Sequence, residues 1–295
     1  MAADPQALLA RMIEDMSIEI GAGDTDKVAA LRAWFAPGTQ VYVSWVPGHA
    51  PAELVSTAAA LRRAGYIPVP HVVARALPDR DALAALLAGL ASEAAVDRAL
   101  VVAGDLAQAR GPFADSVSVI ESGLLERHGI GAIGVAGHPE GHPRMPEDGL
   151  WPALDAKIAA ARRHGLSSWI VTQFGFDAGA IAAWAGALRA RGIAAPVRIG
   201  LAGPASIATL VKFALRCGVG ASLRLLQRQP DRVARLFGSY DLDALVESLA
   251  AELALSSGPE PGLHLFPFGG IARAGEWREA RRGAAVVRAG GRPPV

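Results

Sequence analysis

Short apolar runs alternate with longer stretches in which alanine and leucine recur every three or four positions, and this rhythm persists along the chain. Apolar runs of four or five residues between glycine-rich or polar turns are the mark of strands buried on both faces; the longer periodic stretches read as amphipathic helices. After a helical leader, residues 17–20 form the first expected strand, and a helix opened by Asp24-Thr25-Asp26 runs to about Phe35. Strands are expected at 41–45, 67–73 and 99–102, with helices at 51–63 and 79–90 between them. A helix at 113–127 leads to a fifth strand at 129–133, where Gly134 to Pro143 (GVAGHPEGHP) then breaks any regular pattern and makes a stiff loop. Beyond it come a helix at 150–164, a strand at 169–172, a helix at 178–191 and a strand at 197–200. Helices follow at 206–216, 223–236 and 242–256, and an eighth strand at 263–266.

Eight strands in strict alternation with helices predict an α/β chain folded as a (β/α)8 TIM barrel, with extra helices between strands 7 and 8. The barrel is expected to form a single domain over residues 1–279, and the Gly-, Arg- and Pro-rich end, 280–295, a disordered tail. No glycine-rich phosphate turn follows the first strand, which argues against a dinucleotide-binding open sheet.

Composition narrows the classes. A chain of 295 residues that is 52% hydrophobic has ample core for one large barrel. Its net charge of +1, spread as scattered Arg pairs, leaves no basic footprint for nucleic acid. The lone Cys217 excludes an intramolecular disulfide, which suits the cytoplasm. Asp4, Arg11, Glu14 and Asp15 crowd the start, so no signal peptide is expected there, nor does any apolar run reach membrane-spanning length. The expected partner is a small molecule rather than nucleic acid or membrane; a homo-oligomer is compatible with the sequence.

Polar side chains sit where strands end: Glu19, His71, Asp105, His138 with His142, and Gln173. In a parallel barrel those ends carry the chemistry. A carboxylate between Ile18 and Ile20 must be paired, protonated or functional, because an isolated buried charge costs several kcal/mol. His138 and His142 are four apart, a spacing that joins metal ligands only on a helix; Pro139 and Pro143 deny the helix and no third ligand is evident, so no metal is expected. His128 and His164 each precede a glycine at a helix end and are expected to cap it. Thr172 to Asp177 reads TQFGFD, an amide at a strand end flanked by two aromatics, which makes a slot for a flat heterocycle with one hydrogen-bonding edge.

These motifs, in this order, resemble the methylenetetrahydrofolate reductase family: the carboxylate strand at 17–20, Pro70-His71, Gly104-Asp105, GHPEGHP at 137–143, TQFGFD at 172–177 and LHLFPF at 263–268. The resemblance implies a flavoprotein barrel that holds FAD, takes hydride from NADH or NADPH, and interconverts 5,10-methylenetetrahydrofolate and 5-methyltetrahydrofolate. It implies Glu19 as the general acid and Asp105 as a carboxylate beside the flavin. Gln173 would grip the pterin edge, with Phe176 and Phe266 also in the substrate pocket. His71, Ala103, Gly104, Asp105, His138 and His142 would line the cofactor, and Lys157 would meet its phosphates. This chain departs from the family pattern at Ala103, commonly arginine, at Val46-Pro47, commonly Thr-Tyr, and at His138, commonly aromatic. Those departures fall on flavin contacts, so the alternative is a folate-dependent methyltransferase or folate-binding barrel without flavin chemistry. A sugar-phosphate lyase is disfavoured: no lysine stands at a strand end and no phosphate loop is evident at 200–206.

Overall fold

The structure, a computed structural model, describes residues 4–46, 48–217, 240–255 and 261–288. The strands are β1 (Ser17–Gly21), β2 (Gln40–Ser44), β3 (Ile67–Val73), β4 (Arg98–Val102), β5 (Ala132–Gly137), β6 (Ser167–Thr172), β7 (Val197–Ala202) and β8 (Gly262–Phe266). They close in sequence order into a parallel (β/α)8 barrel. The helices are α1 (Pro5–Glu14), α2 (Lys27–Leu31), α3 (Pro51–Arg63), α4 (Arg80–Ala94), α5 (Ser116–Ile120), α6 (Leu124–Arg127), α7 (Glu147–Arg163), α8 (Ala178–Ala190), α9 (Ile207–Cys217), α10 (Leu242–Ala254) and α11 (Ile271–Arg288). The helix expected at 223–236 lies outside the described residues.

Three expectations shift. The fifth strand is Ala132–Gly137 rather than 129–133. Gly129, at φ 83°, closes the preceding turn, and Gly134, which looked like a strand breaker, is a strand residue with no room for a side chain. A Cβ there would stand 2.9 Å from Leu100 Cδ1 and from the Trp169 ring. The helix expected at 113–127 is two short ones, split where Gly123 turns left-handed at φ 71°. Residues 280–288, assigned to the tail, continue α11. Their arginines explain this: Arg281 bonds Asp243 at 2.5 Å and Glu247 at 2.7 Å, and Arg282 bonds Glu14 at 2.6 Å, so the segment is tied to α10 and α1.

Chain contacts group into two compact units, each with its own core. The unit of residues 17–137 and 151–171 centres on Tyr42, Val69, Leu100 and Val171, with Val102 and Trp169 against them. The described residues of 1–16, 138–150 and 172–295 centre on Phe174, Ala202, Leu210 and Ala214, with Phe176, Phe266, Phe268 and Tyr240 packed around.

Candidate functional site

In the first of these units, strand pairing decides which side chains meet. Glu19 on β1 is in register with Tyr42 on β2, and Tyr42 with Val69 on β3, two residues before His71. The twofold alternation of a strand therefore places Glu19, Tyr42, Val69 and His71 on one face. His71 Nε2 comes to 3.3 Å from the Glu19 carboxylate, and both side chains are largely enclosed. The Nε2 atom is buried and, despite this approach, makes no hydrogen bond to a described residue. Tyr42 meets the imidazole edge-on, with centroids 6.3 Å apart, and its hydroxyl accepts the Trp169 indole N–H at 2.8 Å. His71, expected to line a flavin, thus stands on the expected acid. A carboxyl group beside an imidazole can hold and exchange a proton within an otherwise apolar layer.

Asp105 lies exposed on a bend beyond β4. The glycine before it is dictated by packing: Gly104 sits at φ 88°, and a Cβ there would fall 2.4 Å from Val73. Arg75 holds this loop, its backbone N–H bonding Ala103 O at 3.0 Å and its guanidinium bonding Leu106 O at 3.0 Å and Ala114 O at 2.8 Å.

Lys157 on α7 turns inward, and its ammonium donates to Ala136 O at the end of β5, 2.6 Å away. Burial drives its pKa down from 10.5 to about 8. Between those values the unfolded chain holds more protons than the folded one, so stability rises with pH across that window. Below pH 8 the cost of the buried charge is fully present. Between pH 7 and pH 10 the wild-type protein is expected to gain up to about 3 kcal/mol relative to Lys157→Met. Urea denaturation of both proteins at the two pH values checks this; parallel changes would remove the buried ammonium from the account.

The other unit carries the amide slot. Gln173 follows β6, with its Oε1 accepting the Phe174 N–H at 3.1 Å; its Nε2 donates to no described residue. Phe174 is buried and meets Phe176, Phe266 and Phe268 edge-on at centroid distances of 5.8, 5.5 and 4.9 Å. Phe176 leans on Tyr240 at 5.3 Å. The Tyr240 hydroxyl donates to Ala202 O at 2.5 Å, and burial pushes its ionisation far up, so it remains a neutral donor. Phe176 and Phe266, both expected in the substrate pocket, pack on the same aromatic cluster as Phe174, the residue after Gln173. His138 and His142 pack ring against ring at 4.8 Å, and His142 Nδ1 accepts the Arg144 N–H at 3.2 Å.

Sequence reasoning placed Glu140 on its loop without giving it a task. Its Oε1 accepts the backbone N–H of Phe176 at 2.5 Å and of Asp177 at 3.0 Å. Burial raises its pKa; the two N–H donors pull the other way without overcoming it. The available signal was a lone carboxylate between two prolines in a loop otherwise built of glycine and histidine.

Several of the residues expected to hold FAD are engaged within the protein. Lys157 is committed to Ala136 O, Ala103 brings no charge and gives its carbonyl to Arg75, and the two histidines pack on each other. Among the described residues, no three His, Cys, Asp or Glu side chains group as metal ligands, and no helix is long and apolar enough to cross a membrane.

No protein-family model matches the sequence. Comparison with solved structures does find matches along most of the chain. A protein from Clostridium thermocellum, named as an uncharacterized protein that binds two copies of 5-methyl-5,6,7,8-tetrahydrofolic acid, matches over 92% of this chain and 93% of its own, with 12% identity and a TM-score of 0.52. Dihydropteroate synthase from Thermus thermophilus matches over 93% of this chain and 92% of its own, with 17% identity and a TM-score of 0.46.

Proposed function

We propose that this chain binds a reduced folate of the 5-methyltetrahydrofolate class and acts on it, or delivers it, without flavin chemistry. The observation that carries the reading is Gln173: an amide at the end of β6, pinned through its oxygen to the Phe174 N–H, with its nitrogen offered to no described residue and the Phe174 and Phe176 ring pair following it in the chain. A pterin is flat and presents adjacent donors and acceptors along one edge, which an amide answers in pairs. The aromatic cluster supplies an apolar surface next to it. Support also comes from the motif order and from the Clostridium thermocellum protein on the same fold, whose name records 5-methyltetrahydrofolate binding.

In this reading Glu19, which stands beside His71, is the proton donor to the folate nitrogen that departs as its methyl group passes to a nucleophilic acceptor. The same pair favours a second reading, the flavin-linked interconversion of 5,10-methylene- and 5-methyltetrahydrofolate with NADH or NADPH. That reading requires a flavin, and the absorbance of the purified protein in the flavin bands decides it.

The proposal is tested by calorimetric titration with 5-methyltetrahydrofolate. Saturable binding is expected, and Gln173→Ala should weaken it by about 10- to 100-fold, the worth of a lost paired hydrogen bond in an enclosed site. p-Aminobenzoylglutamate, which lacks the pterin, should not compete. Absence of saturable binding, or equal affinity in the variant, overturns the reading.

A further inference from the structure

We propose that Glu140 is the positioning residue for the pterin-gripping loop, setting ligand affinity by fixing residues 173–177 without touching the ligand. The inference rests on the folate reading above. The motifs at 137–143 and 172–177 are separate in sequence, and one carboxylate oxygen joins them, accepting two successive N–H groups immediately beyond Gly175. The fit leaves no slack: a Cβ at Gly175 would stand 2.6 Å from that same oxygen and 2.9 Å from Ile181. On its other side Gly175 donates to Gly200 O at 3.1 Å and bridges to Leu201, so the loop is held between the carboxylate and β7. Gln173 lies three residues before the first clamped N–H, and Asp177, which supplies the second, caps α8 by accepting the Ala180 N–H.

The clamp is poorly explained as a device for stability alone. Asp177 is exposed, so water could satisfy its N–H at little cost, whereas enclosing a carboxylate forfeits hydration. What the carboxylate gives in return is a single pose for the loop, and a loop ordered before binding spares the ligand the cost of ordering it.

The test combines amide hydrogen exchange on the ligand-free protein with titration of 5-methyltetrahydrofolate, for wild type, Glu140→Ala and Glu140→Gln. In Glu140→Ala, exchange at Phe176 and Asp177 should accelerate by at least about tenfold and the dissociation constant should rise by at least about tenfold. Glu140→Gln keeps an oxygen able to accept both bonds and should restore both quantities to within about threefold of wild type. Should Glu140→Ala fail to fold, Gly175→Ala, which sets a methyl against the carboxylate, takes its place with the same expectations. Unchanged exchange and affinity, or a glutamine variant no better than alanine, overturns the proposal. If the wild-type protein binds no folate, the folate reading falls on its own, and the exchange rates alone decide whether Glu140 holds the loop.

Discussion

Glu19→Gln is expected to fold, to bind 5-methyltetrahydrofolate with near wild-type affinity, and to lose proton-dependent folate turnover by a factor of roughly 10² to 10⁴, the usual worth of a positioned general acid. Glutamine matches glutamate in shape, so the layer built from Glu19, Tyr42 and His71 keeps its packing. The amide cannot deliver a proton at ordinary pH, and a departing amine nitrogen that must leave unprotonated raises the barrier. The readout is the turnover of 5,10-methylene- or 5-methyltetrahydrofolate, measured beside ligand affinity. Loss of binding in step with turnover would make Glu19 a binding residue; unchanged turnover would remove it from the chemistry.

Gly200→Val is expected to cost more than about 3 kcal/mol, above the common range for overpacking, and to give little folded protein. A Cβ at this β7 position would lie 2.4 Å from Thr172 O and 2.9 Å from the Phe266 ring. The first of these neighbours is backbone, which cannot rotate away. Gly200 also donates its N–H to Thr172 Oγ1 at 2.8 Å and accepts the Gly175 N–H, so moving β7 aside breaks the bonds that hold the loop after β6. Denaturant titration of whatever folds gives the magnitude. A loss below about 1 kcal/mol would mean that the β6 to β8 region is looser than its packing indicates.

The barrel was readable from the alternation of apolar runs and periodic segments because that pattern is what the fold consumes: strands buried on both faces and helices buried on one. Where the reading slipped, glycine was the cause. Gly134 looks like a break in isolation, yet it belongs inside β5 because Leu100 and Trp169, more than thirty residues away on either side, occupy the space a side chain would need. No local window contains that information. Gly123 breaks a helix that its neighbours would support, by a left-handed turn that apolar periodicity does not register. The last arginines read as tail composition; their partners Asp243, Glu247 and Glu14 are distant in sequence, so the pairing that extends α11 was hidden.

The candidate site divides in the same way. Glu19, His71 and Gln173 were visible because polar side chains at the ends of apolar strands need a reason. That Glu19 and His71 face each other follows from register, which the residues alone do not reveal. Lys157 looked available for phosphate because a helix lysine is usually exposed; here it is turned under β5 and donates to Ala136 O. Glu140 went unassigned because its partners are backbone N–H groups, which carry no sequence signature.

The central claim is that a pterin is held by its polar edge at Gln173. A crystal structure of the protein with 5-methyltetrahydrofolate tests it most directly. The account predicts the pterin edge within hydrogen-bond distance of the Gln173 amide, with an aromatic ring of the Phe176 cluster against its face. A folate seated away from Gln173, or crystals at saturating ligand that hold none, would contradict it.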